Sequence, residues 1–411
     1  MKNFSSILKC IFIYISIIFA ASEAACYIYI RWFNTNIPLP TYTFINANSR
    51  FWVPVNKHFG VWHEPHSVYL HNKACFNVTY RANSFGMRDK ERSLHSAKPR
   101  AVLLGDSFIE GWGNTLSERL SGQLEKRLGC EILNFGTAGG FGTIQEWLQY
   151  KHLVKQFEHD VVLIGILPHD DFKDNSLEYN KRINSDIHKP FLKGNYPDFK
   201  LYYRSDKIPS QKNQNQIMRS IDFTLREWSS LYRVLRYLGS YRLKDMKLVP
   251  RWQAVSKANL WTTSQYYSFN QNDWMVMRYT IEQLALEAQG KKLIVFTIPV
   301  PSDFMHYTGT EPPLARNLRE LAAKRNFVYI DLLQELAARG IPHEELFFVC
   351  DAHWNAYGNA KAAEILSPYI KEGLAQSSRA HATLPILPDA DQIAFSYDND
   401  QSLLIKSMCK K

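Results

Sequence analysis

The sequence predicts an α/β fold built on a parallel sheet covered by helices, and three observations predict it. Strand-like apolar runs alternate with helix-periodic runs along much of the chain, the pattern of parallel strands joined by crossover helices. Polar Ser107 and Asp170 fall just past two of those runs, where open α/β sheets gather their ligands. Finally, 411 residues with 45% hydrophobic and 14% aromatic content can build a substantial core, which excludes global disorder.

The elements follow in order. Lys2 and Lys9 precede an apolar run that begins at Cys10, pauses at Ser22 and Glu23, and resumes to Ile30 before Arg31-Trp32. Ser22-Glu23-Ala24 is an acceptable small-x-small cleavage site, so residues 1–32 read as a secretory signal. Alternatively residues 10–30 span a bilayer, for which about 20 residues suffice. An uncleaved anchor is the favoured reading. In both cases the basic N-terminus stays in the cytoplasm and the remainder is exported. The expected location is therefore a single-pass inner-membrane protein with its domain in the periplasm, or a secreted protein if the leader is removed.

Residues 33–97 are rich in Pro, Asn, His and aromatics, with an alternating stretch from Cys75 to Tyr80, and read as a loop-and-strand preface. The main domain spans 98–375. Its strands are expected at 101–105, 131–135, 160–166, 293–298 and 327–332, and its helices at 115–128, 143–156, 273–289, 313–325 and 355–371. Residues 176–260 interrupt this rhythm and are too long for a plain connection. Within them, 176–257 carry 17 basic against 7 acidic residues, an excess equal to the net charge of +10 on the whole chain. Leu225, Trp228, Leu231, Leu235 and Leu238 recur there at helical spacing, interspersed with Arg226, Arg233 and Arg236. They predict one basic amphipathic helix, packed on the core by default or lying on a membrane surface. This excess should form a positive rim beside the sheet edge that carries Ser107. The tail, 376–411, reads as a β-hairpin from 392–397 and 402–406 that pairs with the preface.

Chemistry concentrates at two places. Gly105-Asp106-Ser107-Phe108 follows the apolar run Ala101-Val102-Leu103-Leu104, and Asp351-Ala352-His353 precedes a late helical pattern. A serine hydroxyl needs an adjacent imidazole to take its proton. That imidazole needs a carboxylate to hold its tautomer and steady the imidazolium. Ser107, His353 and Asp351 are the residue types for nucleophile, base and orienting acid. Gly-x-Ser-x-Gly is absent because Ile109 occupies the second position after Ser107, which removes the α/β-hydrolase reading.

These motifs resemble those of the SGNH hydrolases, also called GDSL-type esterases. The first block is matched by Gly105 to Phe108 with Gly111, the second by Asn134-Phe135-Gly136 through Gly139-Gly140, and the last by Asp351 to Asn355. Asn83-Ser84-Phe85-Gly86-Met87-Arg88 resembles a stretch found ahead of the core in exported bacterial members. The resemblance covers roughly residues 80–175 and 290–370. It implies a flavodoxin-like three-layer sandwich, ester hydrolysis or acyl transfer, no cofactor, and an oxyanion hole made by Ser107 N–H, the Gly139 region and the third block. That third block departs from the family. Pro168-His169-Asp170-Asp171 puts Asp170 where an Asn amide is expected. An ionised carboxylate there would repel a developing oxyanion, whereas a well-placed donor is worth about 2.7–4 kcal/mol. Protonation of Asp170, donation by His169 or a weakened activity are the three ways out.

The functional expectation is a serine esterase or acyltransferase acting on O-acyl, chiefly O-acetyl, esters of envelope glycans. A lipid esterase at the membrane surface and a silent envelope scaffold are the alternatives. Cys75, Cys130, Cys350 and Cys409 show no CxxC spacing, so no metal is expected. A disulfide at Cys350 would brace the Asp351 turn, while Cys130 reads as a buried free thiol. Gly136, Gly139, Gly140 and Gly142 lack dinucleotide spacing. A nucleic-acid partner is not expected despite a pI near 9.1, because export removes it.

Overall fold

The computed structural model describes residues 2–47, 49–182, 188–204, 216–240 and 264–382. Strands β1 (Val53–Asn56) and β2 (Gly60–Trp62) form one antiparallel pair, and β3 (Val68–Lys73) and β4 (Phe76–Arg81) form another. The central sheet comprises β5 (Ala101–Leu104), β6 (Ile132–Asn134), β7 (Val161–Ile166), β10 (Lys292–Thr297) and β11 (Val328–Asp331). A further antiparallel pair, β8 (Pro190–Lys193) and β9 (Lys200–Tyr203), lies within the insertion. The five central strands are parallel and ordered β6-β5-β7-β10-β11. Counted along the chain that order is 2-1-3-4-5, the flavodoxin-like arrangement.

The pleat explains the three layers. Alternate residues of a strand face opposite sides. Val102 and Leu104 therefore join Leu133, Val162, Ile164 and Val295 on one face, under the helices Thr143–His152 and Gln271–Glu287. Ala101 and Leu103 join Ile132, Leu163, Ile294 and Phe296 on the other, under Leu120–Leu128 and Ala356–Ala382. Both faces are apolar because both are covered, which is why these strands read as continuous hydrophobic runs. The observed strands coincide with the expected ones to within a residue or two.

Two features differ from expectation. The insertion carries not one amphipathic helix but two, Gln216–Trp228 and Ser230–Ser240, broken at Ser229. Their break is set from a distance: the Glu23 carboxylate accepts from Ser230 N at 2.8 Å and Leu231 N at 3.2 Å, and Ser229 Oγ donates to it as well. A carboxylate at this position satisfies the orphan N–H groups of a new helix start. Nor does this helical hairpin pack on the sheet core. Val234 and Tyr237 pack with Cys26, Ile30, Ile37 and Leu39, while Leu225, Trp228, Leu235 and Leu238 are exposed. Arg226 and Arg236 pair with Asp222, and Arg233 with Glu227 at 3.0 Å, so these three cations are matched by acids; the expected positive rim also draws on Lys207, Lys212 and the five basic residues from Arg242 to Lys257, which lie outside the described residues. The expected tail hairpin, 392–397 with 402–406, lies outside the described residues.

Candidate active site

The nucleophile turn is built at the carboxyl end of β5. Gly105 turns the chain at φ +153°, and a Cβ there would meet Ile109 Cγ1 at 2.2 Å. Glycine alone lets the strand enter the short helix Ser107–Glu110 so sharply. Asp106 caps that helix by accepting from Phe108 N at 3.0 Å. From the next strand, fully buried Asn134 donates to Ile109 O at 2.6 Å and accepts from Gly136 N at 2.9 Å. It thereby ties the β6 exit loop to the nucleophile helix.

The base arrives on the turn before the helix Ala356–Ala382. Ser107 Oγ donates to His353 Nε2 at 2.7 Å, and His353 Nδ1–H donates to Asp351 Oδ1 at 2.5 Å. Asp351 Oδ1 also accepts from His353 N at 3.2 Å, which shapes the Asp-x-His turn itself. Its other oxygen accepts from Lys73 Nζ at 2.7 Å and Trp112 Nε1 at 3.2 Å. Burial opposes ionisation of Asp351, but His353 and then Lys73 outweigh it and hold the carboxyl well below its ordinary range. The imidazole sits between rings: Trp112 stacks on it with centroids 5.2 Å apart, and Phe108 lies 4.7 Å away. Such an arrangement fixes tautomer and ring plane together. A disulfide joins Cys75 in the β3–β4 turn to Cys350, next to Asp351, while Cys130 is a partly buried free thiol.

Beside Ser107 opens a cavity of about 310 Å³ lined by Trp112, Ala138 to Phe141, Asp170, Lys173, Asp174, Tyr179 and His353. Gly139 and Gly140 take φ +102° and +74°, so the loop shows backbone to the cavity. Lys189 Nζ pins this loop, donating to Gly140 O at 2.5 Å while lying 3.3 Å from Asp174. Asp170 stands on the same cavity, 3.6 Å from both Lys173 Nζ and His169 Nε2. Burial and neighbouring Asp174 push its carboxyl up to about 6, against the pull of Lys173 and His353. Ser107, Gly139 and Asp170, the three oxyanion candidates, thus border one space.

Some of the surrounding groups had no local sequence signal. Lys73 and Trp112 reach Asp351 only through the fold. Beneath the site Asp106, Glu146 and Asp171 are all buried, and burial raises each well above the carboxylate range. Neither Glu146 carboxyl oxygen has a partner among the described residues. No local sequence signal marks them, because their burial is set by the elements that pack over them.

Strand order, a serine on the exit turn of the first central strand and an Asp-x-His pair before the last helix form the arrangement that the resemblance to SGNH hydrolases implies. No family model and no curated protein matches the sequence. Several solved structures are similar to it. A lipase/acylhydrolase from Enterococcus faecalis is 14% identical, with a TM-score of 0.34 over 67% of this chain and 96% of that one. A putative SGNH hydrolase from Slackia heliotrinireducens is 11% identical, with a TM-score of 0.33 over 66% and 99%. A two-domain esterase active on acetylated mannans is 11% identical, with a TM-score of 0.33 over 71% and 52%. At such scores the functional argument rests on the geometry of the site.

Proposed function

We propose that this chain is a membrane-anchored serine esterase or acyltransferase acting on short O-acyl, chiefly O-acetyl, esters of envelope glycans. The observation that carries the reading is the unbroken relay from Ser107 Oγ through His353 to Asp351 at 2.7 and 2.5 Å, opening on a cavity. Ser107 attacks the ester carbonyl as His353 takes its proton, and His353 returns a proton to the leaving alcohol. Asp351 steadies the imidazolium. Ser107 N–H, the Gly139 segment and Asp170 in its protonated form face the oxyanion. Water, or a sugar hydroxyl in a transferase, then resolves the acyl-enzyme.

The short cavity supports a small acyl group, and Trp112 and Tyr179 at its wall supply aromatic faces of the kind that stack on sugar rings. An apolar helix, Phe4–Phe33, is long enough to cross a membrane and supports an anchored protein with its domain outside the cytoplasm. Asp170 favours one second reading, a scaffold that keeps the triad but has lost turnover. Fluorophosphonate labelling of the full chain, followed by acetate release from O-acetylated glycans, decides between them. A labelled Ser107 with acetate release supports the esterase. A folded protein that takes no label is the scaffold.

A further inference from the structure

We propose that the loop at residues 42–45 and the outward face of the helix Gln216–Trp228 form a lipid-binding collar around the outer end of the N-terminal anchor. The inference rests on the reading of that helix as an uncleaved anchor. Residues 4–21 are exposed on every side. At ~1.5 Å per residue they extend about 27 Å, close to the ~30 Å hydrocarbon core of a bilayer. From Ser22 onward one side of the helix is covered: Glu23 holds Ser229, Ser230 and Leu231, and Ile30 is buried with Val234. The hairpin of helices therefore begins where the hydrocarbon span ends. Cleavage after Ala24 would remove the carboxylate that starts its second helix.

At that same level the described surface is apolar and aromatic. Met218, Ile221, Leu225 and Trp228 recur at helical spacing and are 62, 48, 40 and 45% exposed. Tyr42 and Phe44, 51 and 64% exposed, pack against the Trp228 ring with centroids 6.1 and 5.6 Å away. Tyr and Trp rings, apolar with a polar edge as in Tyr42 and Trp228, collect at membrane interfaces. Among the described side chains of the helical hairpin, Arg226, Arg233 and Arg236 are paired with Asp222 and Glu227, which favours attachment by apolar insertion. The collar also connects to the catalytic edge. Tyr42 N donates to Glu227 O, Leu39 N donates to Asn72 O at 3.0 Å, and the next residue, Lys73, holds Asp351. Seating the collar in the headgroup layer would set the height of the site above the bilayer.

The test uses the full chain in phosphatidylcholine nanodiscs, with a photo-crosslinking amino acid at Phe44, Leu225 or, as a control on a remote helix, Leu286. Lipid adducts at positions 44 and 225, several-fold above those at 286, are the expected result. Chain-to-chain adducts at 225 would show a second copy covering this face and overturn the proposal, as would equal yields at all three positions. Intact mass of the same samples reports whether residues 1–32 are retained. Cleavage sinks the anchor reading and with it a collar around the anchor; an intact anchor without adducts sinks the collar alone. Glu23→Gln should retain the anchor but reduce the adduct at 225, because the helical hairpin loses its tie.

Discussion

The two turns that meet at the site are held in different ways. The Ser107 turn is braced from inside the sheet: Gly105 makes the turn, Asp106 caps it and Asn134 bridges from the neighbouring strand. The Asp351–His353 turn is braced from outside it, by Lys73 and the Cys75–Cys350 disulfide of the preface hairpin and by the Trp112 ring. The placement of Ser107 therefore depends on the core, while that of His353 depends on a peripheral hairpin staying docked. That difference makes the second turn the weaker half of the pair.

The largest effect should come from removing the group the two turns share. Ser107→Ala should abolish fluorophosphonate labelling and lower turnover by a factor on the order of 10⁴–10⁶, because triad members act as a unit. An unchanged melting curve would separate this loss from unfolding. Retained labelling would mean that another residue is the nucleophile.

The comparison can be broken at the peripheral brace. Replacing Cys75 and Cys350 together by Ser should cost about 2–4 kcal/mol in denaturant unfolding. Turnover should fall even at temperatures where the sheet is fully folded. If the rate per folded molecule is unchanged, the hairpin is not what holds the base. Asn134→Ala is the matching test on the core side. It strips buried hydrogen bonds and should cost about 1–3 kcal/mol, with a loss of rate that is present while the disulfide is intact and that adds to the loss on reduction.

Smaller changes sharpen the electrostatics. Lys73→Met removes one of the cations that hold the Asp351 carboxyl below its ordinary range. That carboxyl then rises, so the loss of kcat/KM in acid should set in at a higher pH than in the wild type. A shift to lower pH would contradict the role assigned to Lys73. The smallest effect is expected at Asp170, whose carboxyl is pushed up to about 6. Below that pH it is protonated and can donate to the oxyanion; above it the carboxylate repels the oxyanion. The ratio of Asp170→Asn to wild-type turnover should therefore rise severalfold between pH 5 and 8, and using the ratio cancels any pH dependence the two proteins share. A flat ratio would take Asp170 out of the oxyanion hole.

Much of this was legible in the chain. The central strands appear as apolar runs because both faces of a parallel sheet are buried, and Gly105-Asp106-Ser107 announces a strand-to-helix turn because local sterics require glycine there. Asp351 and His353 were legible as a pair because two residues of one turn can satisfy each other. The sequence by itself thus determined the layers, the strand boundaries and the pairing of Asp351 with His353, all of which follow from short-range periodicity and local geometry. Only the tertiary structure decided that Lys73 and Cys75 brace Asp351, that Glu23 splits an amphipathic stretch into two helices, and that Arg226, Arg233 and Arg236 face acids and leave the apolar side exposed. Each of these depends on a partner far away in the chain, and neither charge nor spacing along the sequence encodes which distant groups the folded backbone will bring within a few ångströms.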